Sequence, residues 1–316
     1  MKEQKGNDTF LASDKPQKDP ANDLFGYAPF AKQLAEAIQK MTPPEGLVMA
    51  IYGPWGSGKS TLLEFVAHYL EESDDEQVII IRFNPWWFSG HKDLTLYFFA
   101  HLQATLFSKF TSLTNDAKKR IADFGKLVSK APFSGAELVG AVFESFGNNE
   151  DIATQKEKVE ELLGEQKKKI LVIIDDIDRL ASDEIKDIFR LVKSIADFPY
   201  VSYLLAFDKT VVANSLHDLQ GVSGQDYLEK IIQVPFELPQ TNPDVLFHIL
   251  LQELSKLLGV IPRELDQIGW FDFTPREGYL SIIKNFIRTP RDVVRFINTL
   301  SVTFPIVKMK SVLLIL

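Results

Sequence analysis

Cysteine is absent from this 316-residue chain. That removes disulfides, thiolate zinc sites, iron–sulfur clusters and a cysteine nucleophile together, and it is compatible with a reducing compartment. Histidine is scarce: His68, His91, His101, His217 and His248 are scattered without ligand spacing, so a histidine metal site is not expected. No window reaches the roughly 18 uninterrupted apolar residues that a membrane-spanning helix needs; the closest, APFSGAELVGAVFESF at 131–146, is short and carries two glutamates. Net positive charge is lacking as well. A formal charge of −8 and a pI near 5.3 argue against a clear nucleic-acid footprint, and the runs at 118–120 and 167–169 read as solvated surface. The polar start has no apolar core and is not a secretory signal; residues 1–22 are expected to be a flexible leader.

What is present is an ordinary globular composition, 45% hydrophobic and 25% charged, in a chain long enough to bury a sizeable core. Apolar residues recur at helical spacing within Asp23–Met41. Strands are expected at Leu47–Tyr52, Gln77–Phe83, Ile170–Ile174, Tyr200–Phe207 and Ile232–Phe236, with helices at Thr61–Leu70, Leu94–Phe110 and Asp183–Ala196. The strands are almost uniformly apolar and alternate with helices, which implies an α/β fold whose parallel sheet is sandwiched by helices. From Asn242 onward the pattern is helical, with breaks at Pro262, Pro275 and Pro290. The domains expected are therefore the leader, an α/β domain over 23–240 with a helical insertion at about 94–166, and an all-helical region over 241–316. The apolar end SVLLIL leads us to expect that the natural protein continues.

Between the first strand and the following helix stands Gly53-Pro54-Trp55-Gly56-Ser57-Gly58-Lys59-Ser60, which fits the phosphate-binding pattern G-x-x-x-x-G-K-[ST]. Glycines let the backbone curl its N–H groups inward, and the helix presents its positive end to the same point. Lys59 is expected on the β- and γ-phosphates, Ser60 on Mg²⁺, and Ser57 and Thr61 beside the α- and β-phosphates. The strand ILVII then ends in Asp175-Asp176-Ile177-Asp178-Arg179. Asp175 is the expected metal-holding acid and Asp176 the group that orients and polarises the attacking water. Asp178 and Arg179 read as a local ion pair, with Arg179 as an arginine finger toward a neighbouring subunit the alternative. Asn84 and Asp208 end two other strands, where open α/β sheets bind ligands; each is a γ-phosphate sensor candidate or a turn and cap residue. Trp86, Trp87 and Phe88 read as core packing in the absence of surrounding basic residues, with stacking on a base as the alternative.

Taken together, GPWGSGKST, RFNPWWF, ILVIIDDIDRL, YLLAFDK, YLEKIIQVPFELP and RTPRDVVRFIN resemble the KAP family of P-loop NTPases. The resemblance implies a sheet in the order 5-1-4-3-2, ATP rather than GTP, and a helical lid in which Arg288 or Arg291 reaches the γ-phosphate. It also implies that Phe25 or Tyr27 packs near the adenine. Many members carry transmembrane helices in the interval corresponding to Leu94–Gln166; none is readable here, so a cytoplasmic, bacterial member is implied, with phage defence as its setting. The function expected is an Mg²⁺-dependent ATPase acting as a conformational switch, read by an attached region or a partner, with a homo-oligomer or a partner protein as the company expected. Two alternatives stand beside it: an ATP-gated assembly module with negligible hydrolysis, and a P-loop phosphotransferase.

Overall fold

The computed structural model describes residues 11, 13–41, 46–73, 78–91, 93–109, 115–130, 150–166, 168–195, 197–216, 223–259 and 286–313. Packing divides the chain into two units. One comprises Gln17–Pro54 and Lys59–Leu238; the other comprises Met1–Pro16, Trp55–Gly58 and Pro239–Leu316.

The first unit is built on five strands: β1 (Val48–Tyr52), β2 (Val78–Phe83), β3 (Lys169–Ile174), β4 (Val201–Phe207) and β5 (Val234–Glu237). All pairings are parallel, in the order β2-β3-β4-β1-β5. This is the expected 5-1-4-3-2 arrangement read from the other edge. Apart from Lys169 at the start of β3 and Ser202 in β4, the three central strands are apolar, because both of their faces are covered. Met49 and Ile51, Leu171 and Ile173, and Leu204 and Ala206 point to one face, where they meet α1 (Ala28–Lys40) and α2 (Lys59–Glu71). Their alternating neighbours, among them Ala50, Val172, Val201 and Phe207, point to the opposite face. There they pack with α3 (Leu94–Lys109), α4 (Asn115–Lys130), α5 (Glu150–Gln166), α6 (Ser182–Arg190), α7 (Lys209–Ser215) and α8 (Gly224–Ile231).

Local chemistry sets the element ends. Ala31, Leu34, Ala35 and Ile38 form the buried stripe of α1, and the Asp23 carboxylate accepts from the amides of Phe25, Gly26 and Ala28 at its entry. Residues 17–22, expected within a flexible leader, make defined bonds: Gln17 N donates to Thr61 Oγ1 at 3.2 Å, and Asp19 caps the 3₁₀ turn Pro20–Asn22. Helices α3 and α4 approach closely at Gly125, where a Cβ would lie 2.5 Å from that of Phe99. Helix α6 stops at Arg190, earlier than expected, because the chain widens into a π turn over Leu191–Ile195. Strand β5 begins later than expected. Ile231 ends α8 and Ile232 is its C-cap, while Gln233 brackets Val48 through its own amide and its side-chain oxygen.

In the second unit, α9 (Pro243–Leu258) packs against α10 (Pro290–Leu313). Among its described residues from Pro239 onward there is no strand. The start of α10 is a reciprocal cap. Asp292 Oδ2 accepts from the amides of Arg288 and Thr289 and from Thr289 Oγ1, while the Asp292 amide points back to that hydroxyl. Pro290 takes the first helical position, where a missing N–H costs nothing. The breaks expected at Pro262 and Pro275, and the 131–146 segment, lie outside the described residues. Among the described residues, no helix is long and apolar enough to cross a membrane.

Candidate functional site

The glycine-rich loop leaves the sheet at Tyr52. Gly53 N donates to Phe207 O at 3.3 Å, which ties the loop's start to the end of β4. Gly56 and Gly58 hold φ values of +80° and +101°, backbone that side chains with a Cβ rarely adopt. Helix α2 then begins at Lys59. Lys59 is 7% exposed; its Nζ donates to Gly53 O at 2.9 Å and to Pro54 O at 3.3 Å, and lies 3.5 Å from Asp178 Oδ2. The Ser60 hydroxyl sits beside the Asp175 carboxylate.

Asp175 and Asp176 follow the last residue of β3. Burial pushes the Asp175 carboxyl up to about 6; the Ser60 hydroxyl pulls it down, the neighbouring Asp176 charge pushes it up, and the Asp176 amide and Lys59 pull it down. Hydroxyl and carboxylate oxygens are donors that suit a hard divalent cation, and a cation there would offset the cost of burying this charge. Ser60 and Asp175 therefore fit Mg²⁺. Asp176 has φ 59° and ψ 28°, a left-handed conformation that is uncommon outside glycine. Both of its carboxylate oxygens are engaged: Oδ2 by Asn84 Nδ2 at 3.0 Å, and Oδ1 by Arg179 Nε at 2.7 Å.

The ion pair expected between Asp178 and Arg179 is not formed. Arg179 pairs with Asp176, while Asp178 turns to Lys59 and accepts the Asp208 amide at 3.0 Å. The 3₁₀ turn Ile177–Arg179 places the two side chains on different partners. Asp178 was thus missed as the lysine's counter-ion; the only signal was a third acid three residues after Asp175. Asp208 acts as a helix cap, its carboxylate accepting from Thr210 and Val211. Asn84 caps the turn Pro85–Phe88 through Oδ1 and also reaches Asp176.

Core packing fails for two members of the aromatic cluster. Trp86 and Trp87 are 48% and 75% exposed; only Phe88 packs inward, stacked on Phe83 and Tyr97. The turn that carries them is held from outside by Glu184, which accepts from Ser89 Oγ and Gly90 N. Tyr27 is buried among α1 and α2, so it offers no open face, and Phe25 packs partly against the same core.

Within the second unit, Arg291 lies against the tip of the loop. A Cβ on Gly56 would come 2.9 Å from Arg291 Cβ and 3.1 Å from Thr289 Oγ1. The Arg291 guanidinium sits 5.9 Å from the centroid of the exposed Trp55 ring, and its Nε pairs with Asp14 Oδ2 at 2.6 Å. Arg288 is exposed, and its amide belongs to the α10 cap.

Known proteins share this sequence and fold to different degrees. Over 326 aligned residues the chain is 22% identical to the phage T7 exclusion protein of Escherichia coli strain K12, with 92% of this chain and 43% of that protein covered. The chain thus spans less than half the length of this relative. Among solved structures, the ORC2 protein of Aeropyrum pernix matches with a TM-score of 0.45 at 14% identity, covering 92% of this chain and 65% of that one. A point mutant of RuvB from Thermotoga maritima matches with a TM-score of 0.40 at 13% identity, covering 93% of this chain and 68% of that one. The family model of the KAP family P-loop domain matches residues 27–307. With that model spanning most of its length, glycine loop and acid-ended strand included, the chain belongs to the KAP family of P-loop NTPases.

Proposed function

We propose that this chain binds Mg·ATP and hydrolyses it, acting as a conformational switch whose state a second copy or a partner protein reads. The observation that carries the reading is the contact between Ser60, at the start of α2, and Asp175, at the end of β3. It joins the phosphate-loop hydroxyl to the acid-ended strand, the pairing that P-loop chemistry needs. In this reading Gly53–Thr61 cradle the phosphates and Lys59 leaves the loop carbonyls to meet the β- and γ-phosphates. Ser60 and Asp175 hold the cation, and Asp176 polarises the attacking water. Ser60 and Asp175 would hold Mg²⁺, whose positive charge would be supplied against the charge that develops on the phosphates. Asn84 is proposed to sense the γ-phosphate through its hold on Asp176. Asp208 supports the site through its cap and the hydrogen bond that its backbone N–H donates to Asp178. Arg291 is favoured over Arg288 as the lid arginine because it already lies against Gly56.

A second reading, an assembly module with negligible hydrolysis, is favoured by one observation: both oxygens of Asp176 are engaged. Phage defence is the proposed setting, from the relative named a phage T7 exclusion protein. The test is phosphate release from Mg·ATP under single-turnover conditions, with Lys59→Ala as the blank. Release above that blank is expected. ATP binding without release would replace the switch by the assembly module.

A further inference from the structure

Asp176 lies in a closed ring of four residues. Asn84 Nδ2 donates to Oδ2 at 3.0 Å, Arg179 Nε lies 2.7 Å from Oδ1 as an ion pair, the Arg179 guanidinium lies 5.0 Å from the Trp86 ring centroid, and the Trp86 backbone amide donates to Asn84 Oδ1 at 3.0 Å. The last bond closes the ring. A carboxylate that polarises water must offer an oxygen to that water's proton. An oxygen in close contact with a guanidinium is a poorer acceptor for a further donor, because the cation already draws on its lone-pair charge. Each oxygen keeps a second lone pair, but loss of one holder makes Asp176 the stronger acceptor for that water.

Asn84 is fixed by its own cap on the Pro85–Phe88 turn. Arg179 leaves a short 3₁₀ turn, its side chain is 26% exposed, and its guanidinium lies over the half-exposed Trp86 ring. A guanidinium over an aromatic face gains a modest attraction, so Trp86 steadies the arginine in the position where it pairs with Asp176.

We propose that Arg179 is a positioning residue that latches the Asp176 carboxylate in an idle state, with Trp86 holding the latch closed. The inference rests on Asp176 being the water-activating group. Release of Arg179 frees Oδ1 while Asn84 keeps the carboxylate in place. A productive positioning role for Arg179 predicts the opposite sign, since its loss would then slow turnover.

The experiment compares ATP turnover of the intact chain with Arg179→Met, Arg179→Lys, Trp86→Leu and the Met/Leu double variant, each checked by its melting temperature. Arg179→Met is expected to raise kcat about two- to fivefold, the scale of a partly exposed ion pair, with KM for ATP unchanged. Arg179→Lys falls between it and wild type. Trp86→Leu raises kcat alone and adds nothing to Arg179→Met, whereas Trp87→Leu stays at the wild-type rate. A folded Arg179→Met with kcat at or below wild type overturns the latch. If that variant fails to fold, Trp86→Leu decides: a rise supports the latch, and no change or a fall overturns it. Asp176→Asn separates the two readings. Turnover retained in that variant removes Asp176 from catalysis, and the latch with it. Turnover lost there, with no gain in the Arg179 and Trp86 variants, leaves the ATPase reading standing and removes the latch alone.

Discussion

Lys59 Nζ lies 3.5 Å from Asp178 Oδ2, and the two side chains are 8% and 7% exposed. The loop lysine therefore has a buried counter-ion from the acid-ended strand, and that acid also accepts the Asp208 amide. Removing one partner of such a pair leaves a buried charge without its match, at a cost of about 3–5 kcal/mol. Asp178→Ala is expected to lower the melting temperature, and adding Lys59→Met is expected to recover part of the loss. Equal or additive losses in thermal melts would show that the pair is not coupled.

Asp175→Asn tests the buried carboxyl. Its native pKa is raised to about 6 from an unfolded value near 3.9. A raised acid pKa means that the native state keeps its proton while the unfolded chain ionises. Stability is therefore lost as pH rises from about 4 to 6, and no more is lost above. Without nucleotide or Mg²⁺, Asp175→Asn is expected to be more stable than wild type at pH 8 by up to about 3 kcal/mol, with the gap closing toward pH 4. Denaturant titrations at the two pH values check this; a gap that widens on acidification contradicts the burial argument.

Gly56 and Gly90 have nearly the same positive φ, +80° and +82°, but a Cβ on Gly90 meets nothing within 4 Å whereas one on Gly56 meets Arg291 and Thr289. Both alanine variants strain the backbone by about 1 kcal/mol. Only Gly56→Ala is expected to weaken ATP binding, by more than about tenfold, as measured by equilibrium titration. Equal affinities for the two variants would remove the steric argument.

Asp292→Ala removes the carboxylate that accepts three bonds at the start of α10. Loss of such a cap costs about 0.5–2 kcal/mol, and Asp292→Asn should retain much of it. Chemical denaturation of the two variants checks the order.

The sheet was legible because burial on both faces makes strands almost wholly apolar, as in β3 and β4, where the apolar run leaves little ambiguity. The glycine loop was legible because its residue types are dictated by backbone curvature. What escaped was the choice among partners. Nothing in the order Asp-Asp-Ile-Asp-Arg says that Arg179 turns to Asp176 and Asp178 to Lys59, because a 3₁₀ turn sets that choice in three dimensions. Trp86 and Trp87 were misread for a related reason: lack of nearby basic residues bears on nucleic acid, not on burial. The TPRD segment, noticed first as part of a family resemblance, has a plain local role as a reciprocal helix cap.

The chain has four tryptophans, and the three within the described residues sit in the two motifs that matter here. Trp55 is in the glycine loop under Arg291, and Trp86 and Trp87 are on the turn beside Asp176, with Arg179 over Trp86. All three residues are open to water, Trp86 by about half and Trp55 and Trp87 by more. Indole emission depends on hydration and on nearby charge, so the protein carries its own optical reporter. Occupancy of the loop and movement of Arg179 can be followed by light from native residues, without a label, and single-tryptophan variants would read the two events as separate signals.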